Sequence, residues 1–333
     1  MSRRERVARL LCGSGLDALA RFSWRGTLVL NFHRIGTPAG DEDPDLYSCT
    51  LDELDAYVGA LTERFEIVPA GTCDLTGGER GRRIALTFDD GYREHFAAAR
   101  VLATHGVVGS FFVTTGFVDE PVLPWWDEIA RLVPGITGDL PDSPWTPGGL
   151  ALRGLDPDGA RRAVGAVYKS HAGSRGTEFL AWLAAAADRP RPAPEEGADL
   201  WLTWPLLREL RAAGMELGGH TVTHPILATL PADRQEAEIG DSLRRLRDEV
   251  GGPVTTFAYP VGARTSFDHR TRAALRRHGV SRAFSFCGGH NRRGGRHDPF
   301  DVLRAGVFRT DSTATIRATA ALPAVFASPR HYA

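Results

Sequence analysis

The run Ile84-Ala85-Leu86-Thr87-Phe88 ends abruptly in Asp89-Asp90-Gly91. It is too short for a helix and reads as a strand buried on both faces. Gly91 permits the sharp exit that such a strand end needs, and Arg93 to His105 then reads as a helix. Val107-Val108-Gly109-Ser110-Phe111-Phe112-Val113 is a second buried strand, ending at Thr114-Thr115-Gly116. Strand, helix and strand thus follow within about thirty residues, the length of a βαβ unit. Parallel α/β folds gather their chemistry at the C-terminal ends of strands, which is where the two acids stand. Taken alone they also read as an acidic turn cap, because Asp-Gly is a common turn pair.

The rest of the chain repeats the alternation. Thr27 to His33 is a strand, and Thr37 to Asp45 a loop rich in Pro, Gly and Asp. Thr50 and Glu53 have capping-box spacing at the head of a helix that carries Leu54, Tyr57, Val58, Leu61 and Phe65. Ile67-Val68 is extended, and Leu75 to Arg83 is a polar loop. Thr203 caps a helix running to Ala213, Met215 to His220 is a short strand, and Asp233 to Val250 is an amphipathic helix. Thr255 to Pro260 is a strand stopped by proline, Thr271 to His278 a helix. Arg282–Phe286 and Asp301–Arg304 are the last strands. This order predicts a parallel α/β protein.

Residues from about 120 to 200 break the pattern. They hold Trp125-Trp126-Asp127-Glu128, Pro- and Gly-rich text from 134 to 149, helical segments near 158–167 and 178–187, and a stiff Arg-Pro stretch at 189–194. They read as a helical insertion. Trp125 and Trp126 either anchor it or stand beside substrate. Residues 1–26 form a basic, amphipathic N-terminal segment, and 27–333 the main domain. The apolar stretch after Arg6 is broken by Arg9, Gly13, Gly15 and Asp17, which makes a poor signal peptide. Val7, Leu10, Leu11, Leu16 and Leu19 suit a helix packed on the protein itself, with contact to a membrane surface as the alternative.

Net charge is −1, so no basic field points to nucleic acid. No stretch approaches the roughly 20 apolar residues of a transmembrane segment. The four cysteines, Cys12, Cys49, Cys73 and Cys287, form no C-x-x-C pair and fit a reducing compartment. A cytoplasmic location is expected. No feature speaks to oligomeric state.

His220-Thr221-Val222-Thr223-His224 sets two imidazoles four apart. On one helical turn they would face the same way and could share a metal. Two histidines and one carboxylate leave coordination positions open, as a catalytic Zn²⁺ needs, and Co²⁺ or Ni²⁺ would accept the same ligands. A second carboxylate is then free to act as base.

Thr87-Phe88-Asp89-Asp90-Gly91 followed by His220-Thr221-Val222-Thr223-His224 resembles the polysaccharide deacetylases of the NodB-homology group, carbohydrate esterase family 4. Phe257-Ala258-Tyr259-Pro260-Val261-Gly262 and His33-Arg34-Ile35 are similar to the exopolysaccharide branch of that family. The resemblance implies a distorted parallel (β/α) barrel with its site at the strand C-termini, here with the helical insertion. It implies a metal-dependent hydrolase that removes N-acetyl groups from amino sugars of a glycan, polysaccharide or glycan precursor. Asp90, His220 and His224 match the metal ligands and Asp89 the catalytic base. The Val261 backbone N–H matches a donor to the oxyanion. Tyr259, Pro260 and Val261 are then expected at the sugar groove.

Two departures from the family pattern stand out. A third-motif arginine that pairs with the base is replaced by Ala258. Arg304 either supplies that charge from a late strand or pairs with a surface acid. The late motif, Val302-Leu303-Arg304-Ala305-Gly306, lacks the histidine that protonates the leaving amine, so His33, His290 and His297 are candidates. These gaps motivate an alternative reading, a catalytically weak, metal-containing glycan-binding protein of the same fold.

Overall fold

The computed structural model describes residues 1–40, 42–73, 81–294 and 298–327. Most of the loop expected over Leu75–Arg83 lies outside the described residues, as does His297. The strands in chain order are β1 (Gly26–Phe32), β2 (Arg34–Ile35), β3 (Tyr47–Cys49), β4 (Glu66–Ile67), β5 (Arg82–Phe88) and β6 (Ser110–Val113). They continue with β7 (Glu216–Gly219), β8 (Thr256–Ala258), β9 (Arg282–Phe284), β10 (Asn291–Arg292) and β11 (Ala305–Gly306).

Along β1-β5-β6-β7-β8-β9 every pairing is parallel. β1 and β5 run side by side from Gly26↔Arg82 to Phe32↔Phe88. Val302 bridges to Phe284 at the end of β9, and β11 pairs with β1 at Leu30↔Ala305. Residues 302–306 therefore close the sheet into a ring. The result is the expected distorted parallel (β/α) barrel.

The two-residue period of a strand sorts its side chains. Leu28, Leu30, Phe32, Ile84, Leu86 and Phe88 pack outward beneath the helices, while Val29, Ala85, Phe112, Ala258, Phe284 and Val302 fill the barrel. Gly218 is required at that level, because a Cβ there would meet the Phe112 ring at 2.5 Å. The same parity carries Asn31, Thr87 and Asp89 inward, one layer above the apolar plug.

Local signals set the helices around it. Thr50 and Glu53 form the capping box at the head of the Leu51–Thr62 helix. The His95–Thr104, Trp204–Ala212, Ala232–Val250 and His269–Arg277 helices lie within a few residues of their expected bounds. The Thr313–Ala321 helix was not legible, because its alternating Ala and Thr residues offer no apolar stripe. It receives the N-terminal Arg3–Gly13 helix. Ala8 packs with Ala318 and Phe326, and Ser312 Oγ donates to Glu5 at 2.8 Å.

The described chain divides into two compact units: residues 1–37, 45–119 and 201–327, which hold the barrel, and residues 38–40, 42–44 and 120–200. In the second, the Trp125–Leu132, Pro157–Val167 and Gly176–Ala186 helices share a core that includes Ile129, Val164, Phe179 and Leu183. Trp125 stacks on Tyr168 at 4.2 Å and meets Trp126 edge-on at 5.2 Å. Of the two roles read for these tryptophans, their contacts within this unit are those of apolar anchors.

Candidate active site

Asp89 and Asp90 follow the C-terminal end of β5 and take different partners, and Asp90 turns into the left-handed region at φ 79° with Gly91 at 88°. Asp89 points into the barrel. Arg304 Nη1 and Nη2 grip its two oxygens at 2.7 and 2.8 Å, and Asn31 Nδ2 donates to Oδ2 at 3.2 Å. The arginine itself is fully buried. Its Nε donates to the Ser285 carbonyl at 3.1 Å and its Nη1 to Asn31 Oδ1 at 2.7 Å. Its guanidinium lies over the Phe112 ring. Of the two readings of Arg304, the fold takes the pairing with Asp89. The position left by Ala258 on β8 is served from the ring-closing segment. Burial pushes the Asp89 carboxyl up, but the Arg304 charge, His220 and the Arg304 hydrogen bonds outweigh it and hold the group below its ordinary value.

Asp90 meets the two histidines. Its Oδ1 lies 3.2 Å from His220 Nε2 and 3.3 Å from His224 Nε2. All three side chains are buried, with one ligand atom from each inside a 4.8 Å span. His220 Nδ1 is 2.8 Å from the Ala258 carbonyl oxygen. A carbonyl can only accept, so Nδ1 carries the proton and a neutral ring presents a bare lone pair at Nε2. That lone pair faces a carboxylate oxygen. A positive charge, either a further proton or a metal cation, is needed between them. Two imidazoles, one carboxylate and a second sphere that fixes the His220 tautomer suit a divalent cation of the zinc type.

The histidines do not share a helical turn, as their spacing suggested. Residues 220–224 form a tight bend after β7, with Thr221 at φ 69° and His224 at φ 57°. The bend is pinned from outside. Glu238, on the Ala232–Val250 helix, accepts from Val222 N and Thr223 N at 2.9 Å each and from Thr223 Oγ1 at 2.7 Å. Val261 is a further left-handed residue, at φ 63°. Among the described residues, four of the five non-glycine residues with positive φ thus lie in the segments that carry the site, and backbone strain of this kind collects at functional sites. A β-branched residue pays most for such a conformation. Val261 tops a tight turn in which Gly262 N donates to the Pro260 carbonyl at 2.6 Å. Its own N–H meets no acceptor among the described residues.

Other expectations require correction. Tyr259 does not line the groove: it is buried, its ring stacks on Phe267 at 3.9 Å, and its hydroxyl donates to the Phe300 carbonyl at 2.8 Å. Pro260 is likewise buried in the turn. His290 packs edge-on against Trp24, before the start of β1 and at the far end of that strand from the carboxylates. His33 follows the other end of β1. Burial pushes its pKa down, while Asp90 and then Asp89 act in the opposite direction, which places its ring in their field. Asn31 and Glu238 escaped the sequence reading. Asn31 had a usable signal, being the one amide in the apolar run Leu28–Phe32; Glu238 looks like any exposed acid on an amphipathic helix.

The sequence profile described as polysaccharide deacetylase matches residues 76–137 and 162–283, more than half of the chain. Several solved structures are similar. The deacetylase PplD of Streptococcus pyogenes, in complex with acetate, is 16% identical, with 87% of this chain and 96% of that one covered at a TM-score of 0.57. IcaB from Ammonifex degensii is 19% identical, with 89% and 97% covered and a TM-score of 0.55. A de-N-acetylase from Aggregatibacter actinomycetemcomitans is 14% identical, with 86% and 96% covered and a TM-score of 0.53. At these identities the likeness is one of fold. No curated protein matches the sequence.

Proposed function

Since the chain belongs to the polysaccharide deacetylase family, we propose that it is a metal-dependent hydrolase that removes N-acetyl groups from the amino sugars of a glycan, in the manner of the exopolysaccharide branch. The observation that carries this reading is the pair of adjacent acids with divided partners. Asp90 faces His220 and His224, and Asp89 faces Arg304. A divalent cation held by Asp90, His220 and His224, with Zn²⁺ first and Co²⁺ or Ni²⁺ as substitutes, supplies positive charge that polarises an acyl carbonyl and acidifies water.

The chain's own residues do the rest. An ionised carboxylate offers about four acceptor positions. Arg304 and Asn31 occupy three on Asp89. The fourth is left to take a proton from water as it attacks the acetamide carbon. The free Val261 N–H is the donor for the oxygen on which charge develops. His33 is assigned the relay that the departing sugar amine needs: its neutral ring takes up the proton that Asp89 removes from water and passes it to the amine. Among the described histidines outside the metal-binding group, His95 also feels both carboxylates, but its Nε2 is engaged with the His33 carbonyl at 2.7 Å. The Arg304–Asp89 pair also weakens the case for a glycan-binding protein, which has no use for an ionised base beside a cation.

The test is acetate release from N-acetylglucosamine oligomers by the full chain. We expect release to stop on chelation and return with Zn²⁺. Absence of release from every N-acetylated sugar offered, with cation bound, would refute the reading. His33→Ala should lower amide cleavage by about a hundredfold or more, yet leave an activated aryl acetate nearly untouched, because that leaving group departs without a proton. Equal losses on both substrates would remove His33 from the acid role.

A further inference from the structure

We propose that residues 3–25 form a face that seats on the surface of an anionic lipid bilayer. The inference is independent of the reading of the active site.

The Arg3–Gly13 helix is amphipathic in an unusual sense. Its inward side, with Glu5 and Ala8, is satisfied by the C-terminal helices. Its outward side carries Arg3, Val7, Leu10 and Ser14, spaced four, three and four apart, so they form one stripe. Leu16, Leu19 and Phe22 continue outward after it. Leu10 is 74% exposed, Leu19 68% and Phe22 57%. Large exposed apolar side chains are ordinary when scattered. Here six of the nine among the described residues fall between Met1 and Phe22, and such concentration marks a contact surface.

Charge says what the surface meets. The only acids in residues 1–25 are Glu5 and Asp17. Both are buried, Glu5 bonded to Ser312 and paired with Arg9 at 2.6 Å, Asp17 tied to Arg64 and Arg317. Arg3, Arg6 and Arg25 face solvent, while Arg9, also exposed, is paired with Glu5. Two more guanidiniums, from Arg21 and Arg82, flank the Phe22 ring at 4.8 and 4.7 Å. Burial, then Arg25 and Arg21, push the Arg82 pKa below its ordinary value. Like charges are thus held together around an exposed aromatic ring.

Exposed Val7, Leu10, Leu16, Leu19 and Phe22 interleaved with arginines, with no exposed acid in residues 1–25, complement lipid phosphates above acyl chains. A second copy of the same face would repel it. A nucleic acid would answer the arginines but not the leucines. Among the described residues no helix is long and apolar enough to cross a membrane, so the contact is one of lying on the surface.

The experiment is sedimentation of the full chain with vesicles of phosphatidylcholine alone or mixed with phosphatidylglycerol. Binding is expected to the mixed vesicles and to weaken with salt. Arg3→Gln, Arg6→Gln and Arg25→Gln together should weaken it about a hundredfold, taking about 1 kcal/mol per arginine near a charged surface. Leu10→Glu, Leu19→Glu and Phe22→Glu together should abolish it, with thermal unfolding unchanged because these side chains are exposed. The proposal is overturned by failure to bind either vesicle, or by full binding of the leucine and phenylalanine variant. It is equally overturned if the face proves to hold a dimer in solution, or binds duplex DNA with the same dependence on Leu10 and Phe22.

Discussion

Asp89→Asn is expected to lower kcat/KM for acetate release by about a thousandfold, within the range that a lost general base costs, while the protein still takes up its cation. Asparagine keeps the shape of the side chain and one carbonyl oxygen, so Arg304 and Asn31 retain part of their network. It cannot accept a proton at neutral pH. Asp90, His220 and His224 are untouched, and His220 keeps its bond to the Ala258 carbonyl. Metal content and turnover should therefore separate. Asp90→Asn should behave in the opposite order, losing metal first. Turnover within tenfold of the wild type in Asp89→Asn, at full metal occupancy, would show that the base lies elsewhere.

Arg304→Met should be costly to the fold as well as to the reaction. Both members of the Arg304–Asp89 pair are almost fully buried. Removing one partner of such a pair typically costs about 3–5 kcal/mol, because the other charge is left without compensation. Methionine fills the space beside Phe112 but leaves Asp89 with Asn31 alone. Without the guanidinium the Asp89 pKa rises, so the acid limb of the pH–rate profile moves to higher pH. The sign for stability follows. In the wild type the Asp89 pKa is depressed in the fold. Its contribution is present above the unfolded value, about 3.9, and disappears as pH falls through the folded value. The stability gap between wild type and variant should therefore be widest near neutrality and shrink in acid, as denaturant unfolding at several pH values would register. A gap that stays constant with pH would mean that the pair acts through packing and not through charge.

The barrel was legible because its strands are short apolar runs closed by turn residues, and its helices carry clear apolar faces and caps. The grouping of Asp90, His220 and His224 was legible for a related reason: each member sits in a short motif at a strand end, where local sequence is under tight geometric demand. What stayed hidden depends on partners remote in sequence. The bend of residues 220–224 takes its shape from Glu238, 15 and 16 residues beyond its partners. Tyr259 has the look of a groove residue until Phe267 and the Phe300 carbonyl are placed around it. Arg304 could be named as a candidate, but only the closing of the ring decides between Asp89 and a surface acid. The Trp125–Leu132 helix is too short for its periodicity to stand out between the prolines at 124 and 134.

The segment that closes the ring also fixes when the site can exist. During synthesis the chain emerges from its N-terminus, so Asp89, Asp90, His220 and His224 are all made before Arg304, which lies 215 positions after the carboxylate it holds. A nascent chain that stops short of residue 302 holds Asp89, Asp90, His220 and His224, but no edge partner for β9 and no counter-charge for Asp89. The counter-charge of Asp89 and the edge partner of β9 thus arrive together, in the step that makes the barrel continuous.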